Sequence, residues 1–189
     1  MVRVRGHIVL RWALAVAGCA VCGVGGGVGQ VGSQRLEVPL VGFSSTVGRV
    51  VFRETMTGKL NIDVTVEALT PGEHAVHLHE NGVCEAPDFR SAGPHFNPEG
   101  REHGWRNPNG HHAGDLPENI VVDAAGNGHL NVTVADLDLT PGSAHSVLGR
   151  SIVVHERADD MRSDPGGDAG NRIACGVIPA EGVGRRASR

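Results

Sequence analysis

Tyrosine is absent from this chain of 189 residues, and aromatic residues as a whole make up only 3% of it. Hydrophobic residues nevertheless account for 40% of the sequence, so the core must be built largely from valine, isoleucine, leucine and alanine. Branched aliphatic side chains favour strands over helices. No segment shows the apolar periodicity of a convincing amphipathic helix, and we therefore predict an all-β protein.

The body of the chain also lacks any cluster of lysine and arginine. The formal net charge is −4, and without Arg3, Arg5 and Arg11 near the start the chain keeps 14 basic against 21 acidic residues, a net charge of −7. A mildly acidic body of this kind argues against a nucleic acid as the partner. The length suits a single domain, which we expect at residues 34–180.

The start of the chain has the features of an export signal. A basic beginning is followed by a short apolar run and small residues, and this run is too short and too rich in glycine for a stable transmembrane helix. The sequence VAGC at 16–19 matches a bacterial lipobox, which predicts lipidation of Cys19; ordinary cleavage nearby is the alternative. We therefore predict an exported, lipid-anchored protein on the periplasmic or extracellular membrane face, with a signal peptide at 1–18, a glycine-rich tether at 19–33 and a disordered basic tail at 181–189.

Short β-type segments separated by turn signals follow one another along the body of the chain. In the third of them, apolar residues alternate with polar ones from Leu60 to Val66, which is typical of a strand with one buried and one wet face. Eight such segments predict an antiparallel Greek-key sandwich or flattened barrel. The eight sequences are RLEVPLV, GRVVFRET, KLNIDVTVEAL, EHAVHLHE, NIVVD, GHLNVTVADL, RSIVVHE and RIACGVIPA.

Two long connections interrupt the series of strands, at 81–118 and 157–170. Both are rich in glycine, proline and aspartate. Unstructured loops of this length in a small domain are usually functional. We therefore expect the histidine chemistry of the protein to lie in them.

Three histidines and one aspartate of the first connection form a set that suits zinc. Three imidazoles and a carboxylate complete a closed four-coordinate shell of the kind that zinc prefers in structural sites. The members are His95, His103, His112 and Asp115. His111 could compete for the ion, but only His112 keeps the three-residue step to Asp115, so His111 stays outside the set.

A second set adds histidines from the predicted strands. His77 and His79 stand two residues apart, so their side chains point to the same face and can converge on one ion. With His95 and His155 they make four imidazoles, which suit copper because Cu(II) favours tetragonal nitrogen coordination. Two sites of four ligands need eight positions and these sets offer seven residues, so we predict that one imidazole, His95, bridges the two metals.

The remaining histidines of the domain receive no metal. We expect His74 and His129, at the starts of strands, to be exposed, and His145 to lie in a loop.

The sequence contains five blocks in a fixed order, GEHAVHLHE, SAGPHFNP, HHAGDLP, GRSIVVHERADD and GNRIACGVI. Together they resemble the copper/zinc superoxide dismutase family in its shorter, exported bacterial form. The resemblance extends over almost all of residues 34–180. It implies disproportionation of the superoxide anion to dioxygen and hydrogen peroxide, with one copper and one zinc ion per chain and copper cycling between Cu(II) and Cu(I).

The resemblance also implies roles for single residues. The copper and zinc sets coincide with the family's ligands, with His95 as the bridge that leaves copper on reduction and passes a proton to the product. Arg172 falls on the family's active-site arginine, and the family disulfide falls on Cys84 and Cys175. Asp159 falls on the carboxylate that links a copper histidine to a zinc histidine, here His77 and His103.

Trp105 departs from the family's pattern, since small residues are common at its position, and we expect it to serve packing or an interface. A non-enzymatic copper-binding or copper-delivery protein of the same fold is the alternative function. The presence of Arg172 together with all four copper histidines favours the enzyme. The sequence does not predict the oligomeric state, because bacterial and eukaryotic relatives pair through different surfaces; a homodimer is one option.

Overall fold

The computed structural model describes residues 35–181. The predicted signal peptide, the tether, the lipidation site Cys19 and all but the first residue of the predicted tail therefore lie outside the described residues. Within the described range, no helix has the length and apolar character needed to cross a membrane.

Nine antiparallel strands form one sheet that curls into a nearly closed barrel. Along the sheet the strands follow the order β4-β6-β7-β3-β2-β1-β9-β8-β5. A three-residue 3-10 turn at Arg90–Ala92 is the one helical element of the described range. The predicted all-β antiparallel fold is thus confirmed. The strands are β1 (Arg35–Val41), β2 (Thr46–Glu54), β3 (Leu60–Val66), β4 (Gly72–His74), β5 (Val76–His79), β6 (Ile120–Val122), β7 (Gly128–Val134), β8 (Ser151–His155) and β9 (Arg172–Val177).

The predicted number of eight strands was wrong by one, because the fourth predicted strand is interrupted at Ala75. The N–H of Ala75 donates to the carbonyl oxygen of Arg157 at 2.8 Å, and its own carbonyl accepts from the N–H of His155 at 2.9 Å. As a result β4 pairs with β6, whereas β5 pairs with β8. These are the two ends of the strand order, so this continuous segment connects the ends of the sheet and helps to close the barrel.

The core inside the barrel is aliphatic, as the scarcity of aromatic residues predicts. On β3 the apolar residues from Leu60 to Val66 are each 0% exposed and alternate with half-exposed polar residues. Phe52 and Phe96 are the aromatic members of this core. Each fully buried aliphatic side chain contributes about 1.5–3 kcal/mol, so the strands carry most of the stability.

β5 and β8 are buried on both faces, and this arrangement creates the site. Along β5, Val76 and Leu78 pack into the barrel core, while His77 and His79 point to the opposite face because side chains alternate along a strand. The connection that follows β5 folds back over that face. Histidines that an ordinary surface strand would expose are therefore enclosed.

A disulfide joins Cys84 to Cys175, which stand 91 positions apart in sequence and have their Cα atoms 5.7 Å apart. The predicted pairing is thus confirmed. Phe89, Ala92 and Val153 pack around it in a small apolar cluster outside the barrel. The bond fastens the connection after β5 to β9, and closing a loop of this length stabilises the fold by about 4–5 kcal/mol on the chain-entropy model.

Candidate metal centre

The connection at 81–118 returns along the edge of β5 that β8 leaves free. The N–H of Leu78 donates to the carbonyl oxygen of Gly114 at 2.8 Å, and the carbonyl of Leu78 accepts from the N–H of Phe96 at 2.9 Å. A Cβ atom at Gly114 would clash with the carbonyl oxygen of Leu78, so this close approach requires glycine. Residues next to both bonded positions, His95 and Asp115, are thereby carried to the histidines of β5.

The predicted copper set comes together in the structure. One ring nitrogen from each member can be chosen so that all lie within 4.8 Å of one another, and all four side chains are buried. The Nε2 atoms of His79 and His155 lie 3.3 Å apart. The members are His77 and His79 from β5, His155 from the end of β8, and His95 from the connection.

The predicted zinc set also comes together, entirely within the connection. Its ligand atoms again lie within 4.8 Å of one another, and its members are His95, His103, His112 and Asp115. The Oδ1 atom of Asp115 lies 2.9 Å from Nδ1 of His95, and Oδ2 lies 3.0 Å from Nδ1 of His103. Nδ1 of His112 lies 3.4 Å from Nδ1 of His95. His95 thus turns its Nδ1 atom toward the zinc set, which leaves its Nε2 atom for the copper set.

Asp159 connects the two sets, as predicted from the resemblance. Its carboxylate accepts a hydrogen bond from Nε2 of His77 at 2.9 Å and another from Nε2 of His103 at 3.0 Å. Asn119 holds the backbone of Asp159 from both sides, accepting from its N–H at 2.8 Å and donating to its carbonyl at 3.1 Å. Sequence reasoning missed Asn119, because nothing in the sequence marks a side chain that acts through a residue 40 positions away.

The two histidines that donate to Asp159 leave their other ring nitrogens bare. Within the described residues, Nδ1 of His77 is buried without a hydrogen-bond partner. Nδ1 of His103 is also buried without a hydrogen bond, because its neighbour, Oδ2 of Asp115 at 3.0 Å, lies out of line for one. A buried unpaired polar atom costs about 1–3 kcal/mol. Each bare nitrogen belongs to one ligand set, and a metal ion at each would remove that cost. The residues therefore fit two metal ions.

Burial keeps three members of the copper set, His79, His95 and His155, in the form that binds metals. Burial, and then the neighbouring His77, lowers the pKa of His95 to about 3 and that of His155 to about 2. Burial also lowers the pKa of His79 well below its ordinary value. Neutral imidazole is the ligand form, so these three rings need to lose no proton at neutral pH.

The zinc set has the opposite electrostatic character. Burial alone would lower the pKa of His103, but the carboxylates of Asp115 and Asp159 outweigh it and raise the pKa to about 9. Burial alone would likewise raise the pKa of Asp115, but hydrogen bonds with the surrounding histidines hold it far below its usual range. A metal ion in this set replaces a proton on His103.

Arg172 lies beside the copper set, at the start of β9. Its guanidinium donates to the carbonyl oxygen of Phe89 at 2.7 Å and to that of Gly93 at 2.6 Å. The Gly93 carbonyl also accepts from Nδ1 of His79 at 2.9 Å, so one backbone oxygen aligns the arginine with a member of the set. A cleft of about 480 Å³ opens here, lined by Pro87, Asp88, Arg90, Gly170, Asn171 and Arg172.

The expectation that His74 is exposed was wrong, because it is only 2% exposed. Its ring nitrogens lie 2.9 Å from the carbonyl oxygen of His155 and 2.8 Å from that of Thr70. A strand position shows which face a side chain uses but not which loop covers that face. His129 is exposed on the outer face of β7, where it contacts Asp63, and His145 lies in the loop between β7 and β8, both as expected.

Comparison with known proteins adds to this geometry. The profile of the family "Copper/zinc superoxide dismutase (SODC)" matches residues 46–178. "Superoxide dismutase [Cu-Zn] 2" of Aquifex aeolicus is 45% identical over 136 residues, which cover 70% of this chain and 78% of that protein. "Superoxide dismutase-like protein YojM" of Bacillus subtilis is 41% identical over 136 residues, which cover 70% of this chain and 69% of that protein. The crystal structure of a SOD-like protein from Bacillus subtilis matches with a TM-score of 0.71 at 38% identity, covering 75% of this chain and 97% of that one.

Proposed function

The chain belongs to the copper/zinc superoxide dismutase family, and we propose on this premise that it converts two superoxide anions and two protons to dioxygen and hydrogen peroxide. The observation that carries the proposal is the pair of buried four-ligand sets that share His95, next to a cleft lined by Arg172. We assign one copper ion to His77, His79, His95 and His155, and one zinc ion to His95, His103, His112 and Asp115.

The ligand chemistry supports this order of metals. Four imidazoles suit copper, whereas three imidazoles and a carboxylate suit zinc. When bound, copper supplies the one-electron exchange with superoxide, and zinc supplies a fixed positive charge without redox chemistry. Asp159 orients His77 and His103 so that each offers Nδ1 to its own metal, which fixes the tautomer of both rings.

His95 is proposed to handle the proton. Its Nδ1 is held among the zinc ligands, so Nε2 is the atom that can take up a proton and give it to the peroxide product.

Arg172 is proposed to bind the anion. Its two bonds to backbone carbonyls hold the guanidinium in place, and a guanidinium has five N–H donors, so donors are left for superoxide in the cleft. A fixed local positive charge attracts a small anion even where the whole chain carries a formal charge of −4.

The test is the rate of superoxide decay catalysed by the purified full chain loaded with copper and zinc. His155→Ala removes one copper ligand, and His129→Ala is the matched control at an exposed histidine. We expect rapid decay in the wild type and in the control, and its loss in His155→Ala. Equal rates in all three would contradict the assigned copper set.

A wild-type protein that binds both metals but leaves superoxide unchanged would favour the alternative, a copper-binding or copper-delivery protein. The relative named superoxide dismutase-like is the observation that keeps this alternative in view.

We further propose that the protein is exported and anchored through Cys19. The lipobox motif at 16–19 motivates this, and a disulfide suits an oxidising compartment. Cys19→Ala should move the protein from the membrane fraction of a bacterial host to the soluble fraction. An unchanged distribution would exclude the anchor.

A further inference from the structure

Trp105 and His111 lie beside the zinc set but belong to neither ligand set. Their rings are stacked, with centroids 3.9 Å apart and planes inclined by 12°. Trp105 is 38% exposed and the His111 side chain 15%, whereas the ligands they adjoin are buried. The stacked pair therefore stands between the zinc set and the solvent.

Each ring donates a hydrogen bond to the backbone of a different ligand. Nε1 of Trp105 donates to the carbonyl oxygen of Asp115 at 3.0 Å. Nδ1 of His111 donates to the carbonyl oxygen of His112 at 2.8 Å, which also accepts from the N–H of Asp115 at 3.1 Å. The two donors thus hold the peptide groups from which two ligand side chains project.

The stack also joins two stretches of the connection. Trp105 follows directly on His103 and Gly104, and the N–H of Gly104 donates to Oδ2 of Asp115 at 2.9 Å. His111 directly precedes His112, which donates its own N–H to the same carboxylate oxygen at 2.9 Å. The stretch that contains His103 is therefore linked to the stretch that contains His112 and Asp115 in two ways. The buried carboxylate of Asp115 joins them on the inside, and the stacked rings of Trp105 and His111 join them on the outside.

We propose that Trp105 and His111 are positioning residues that assemble the zinc set, holding His103 in place relative to His112 and Asp115. The inference rests on the proposed zinc site. None of the described hydrogen bonds joins either ring to the copper ligands of β5 and β8. The pair should therefore act on zinc binding and leave copper binding unchanged.

Four variants of the full chain separate the stack from the donors. Trp105→Leu removes both, and Trp105→Phe keeps a ring without the N–H. His111→Phe keeps a ring without the donor, and His111→Asn keeps a donor without the ring. Phe43→Leu, at an aromatic residue that is 74% exposed, and His129→Asn are the matched controls.

The measurements are dissociation constants for Zn²⁺ and for Cu²⁺ from competition with a chromophoric chelator, and the visible absorption of Co²⁺ bound in place of zinc. We expect Trp105→Leu to weaken zinc binding about 10- to 100-fold, which is the usual effect of removing a group that hydrogen-bonds to a metal ligand. The Co²⁺ spectrum should change, and the copper constant and both controls should stay at the wild-type value. Combining Trp105→Leu with His111→Asn should weaken zinc binding by less than the product of the two single fold-changes, because the two rings act as a pair.

Unchanged zinc constants in the four variants would overturn the inference, and so would equal losses of zinc and copper affinity, which indicate a general structural role. If Trp105→Leu does not fold, Trp105→Phe and His111→Phe decide by the same criteria. A wild-type chain that binds no zinc would instead refute the zinc site of the proposed function.

Discussion

The two halves of the metal centre are built by different means. Three members of the proposed copper set belong to β5 and β8, whose paired backbones place His77 opposite Val153 and His79 opposite Ser151. The members of the proposed zinc set all belong to the connection at 81–118, where the carboxylate of Asp115 gathers them by accepting hydrogen bonds from the N–H groups of Gly104 and His112. Ligands on paired strands are positioned by the sheet itself, whereas ligands on a loop need polar cross-links of their own.

The two halves also differ in charge. Burial depresses the pKa values of His79, His95 and His155 in the copper set. Two carboxylates instead raise the pKa of His103 in the zinc set. These imidazoles of the strand half are therefore already neutral, which is the form that binds a metal ion. The loop half is held together by ion pairs of His103 with Asp115 and Asp159, and a bound metal ion would replace the proton on His103.

The largest effect is expected from separating the loop half from the strands at the disulfide. A Cys84→Ser, Cys175→Ser double variant should lose about 4–5 kcal/mol of the free energy of unfolding, because it removes a closed loop of about 90 residues. Urea denaturation of the metal-free protein measures this, with Cys22→Ser as the control. An unchanged denaturation midpoint would mean that the bond does not stabilise the fold.

Arg172→Glu tests a strand residue that reaches across to carbonyls of the loop. Reversing this charge should lower the rate constant for superoxide decay by on the order of 100-fold, within the range expected of electrostatic steering, with both metals retained. Metal analysis and stopped-flow kinetics check the two parts. Arg49→Glu makes the same change in net charge on an exposed residue of β2, and an equal loss there would point to the overall field instead.

Asp159→Asn tests the one carboxylate that binds both halves. Because it holds the tautomers of His77 and His103, its loss should weaken copper and zinc binding each by about 10- to 100-fold. Chelator competition measures both constants, and Asp160→Asn serves as the neighbouring control. Weaker binding of only one of the two metals would show that the two halves are positioned independently.

The smallest effect, taken per group and per pH unit, is a pH dependence of stability with opposite sign in the two halves. The folded-state pKa values of about 3 for His95 and about 2 for His155 lie below the ordinary 6.5. As the pH falls, both histidines are therefore protonated in the unfolded chain before they are protonated in the folded one. The stability of the metal-free protein consequently falls as the pH drops below 6.5. For His103, with a pKa of about 9, stability is instead lost as the pH rises from 6.5 through 9. Each group contributes a slope of at most about 1.4 kcal/mol per pH unit.

Urea denaturation of the metal-free protein across this pH range measures both limbs. His155→Asn should make the acid limb shallower by about one proton, whereas His129→Asn, at an exposed ring, should leave it unchanged. An acid limb that keeps its slope in His155→Asn would contradict the depressed pKa.

Much of the fold followed from local pattern. The alternation from Leu60 to Val66 and the aliphatic composition predicted strands that the structure contains, and the confirmed disulfide came from the family resemblance. The interruption of the strand at Ala75 could not be predicted from local pattern. It depends on hydrogen bonds of Ala75 with His155 and Arg157, which form only when the barrel closes. The expected exposure of His74 failed for the same reason.

Residue type and spacing by themselves determined the strand character, the two ligand sets and the need to share one imidazole, because these depend on side-chain chemistry and on the two-residue period of a strand. Tertiary structure alone decided what surrounds the ligands. It brought Asn119 to the backbone of Asp159, paired Trp105 with His111, and placed Arg172 on the carbonyl that also holds His79. The contacts of Asn119 and Arg172 join segments 40 to about 80 residues apart, and the stack of Trp105 on His111 forms within one irregular connection. Such contacts leave no periodicity in the chain, since only the folding of the connections against one another and against the strands creates them.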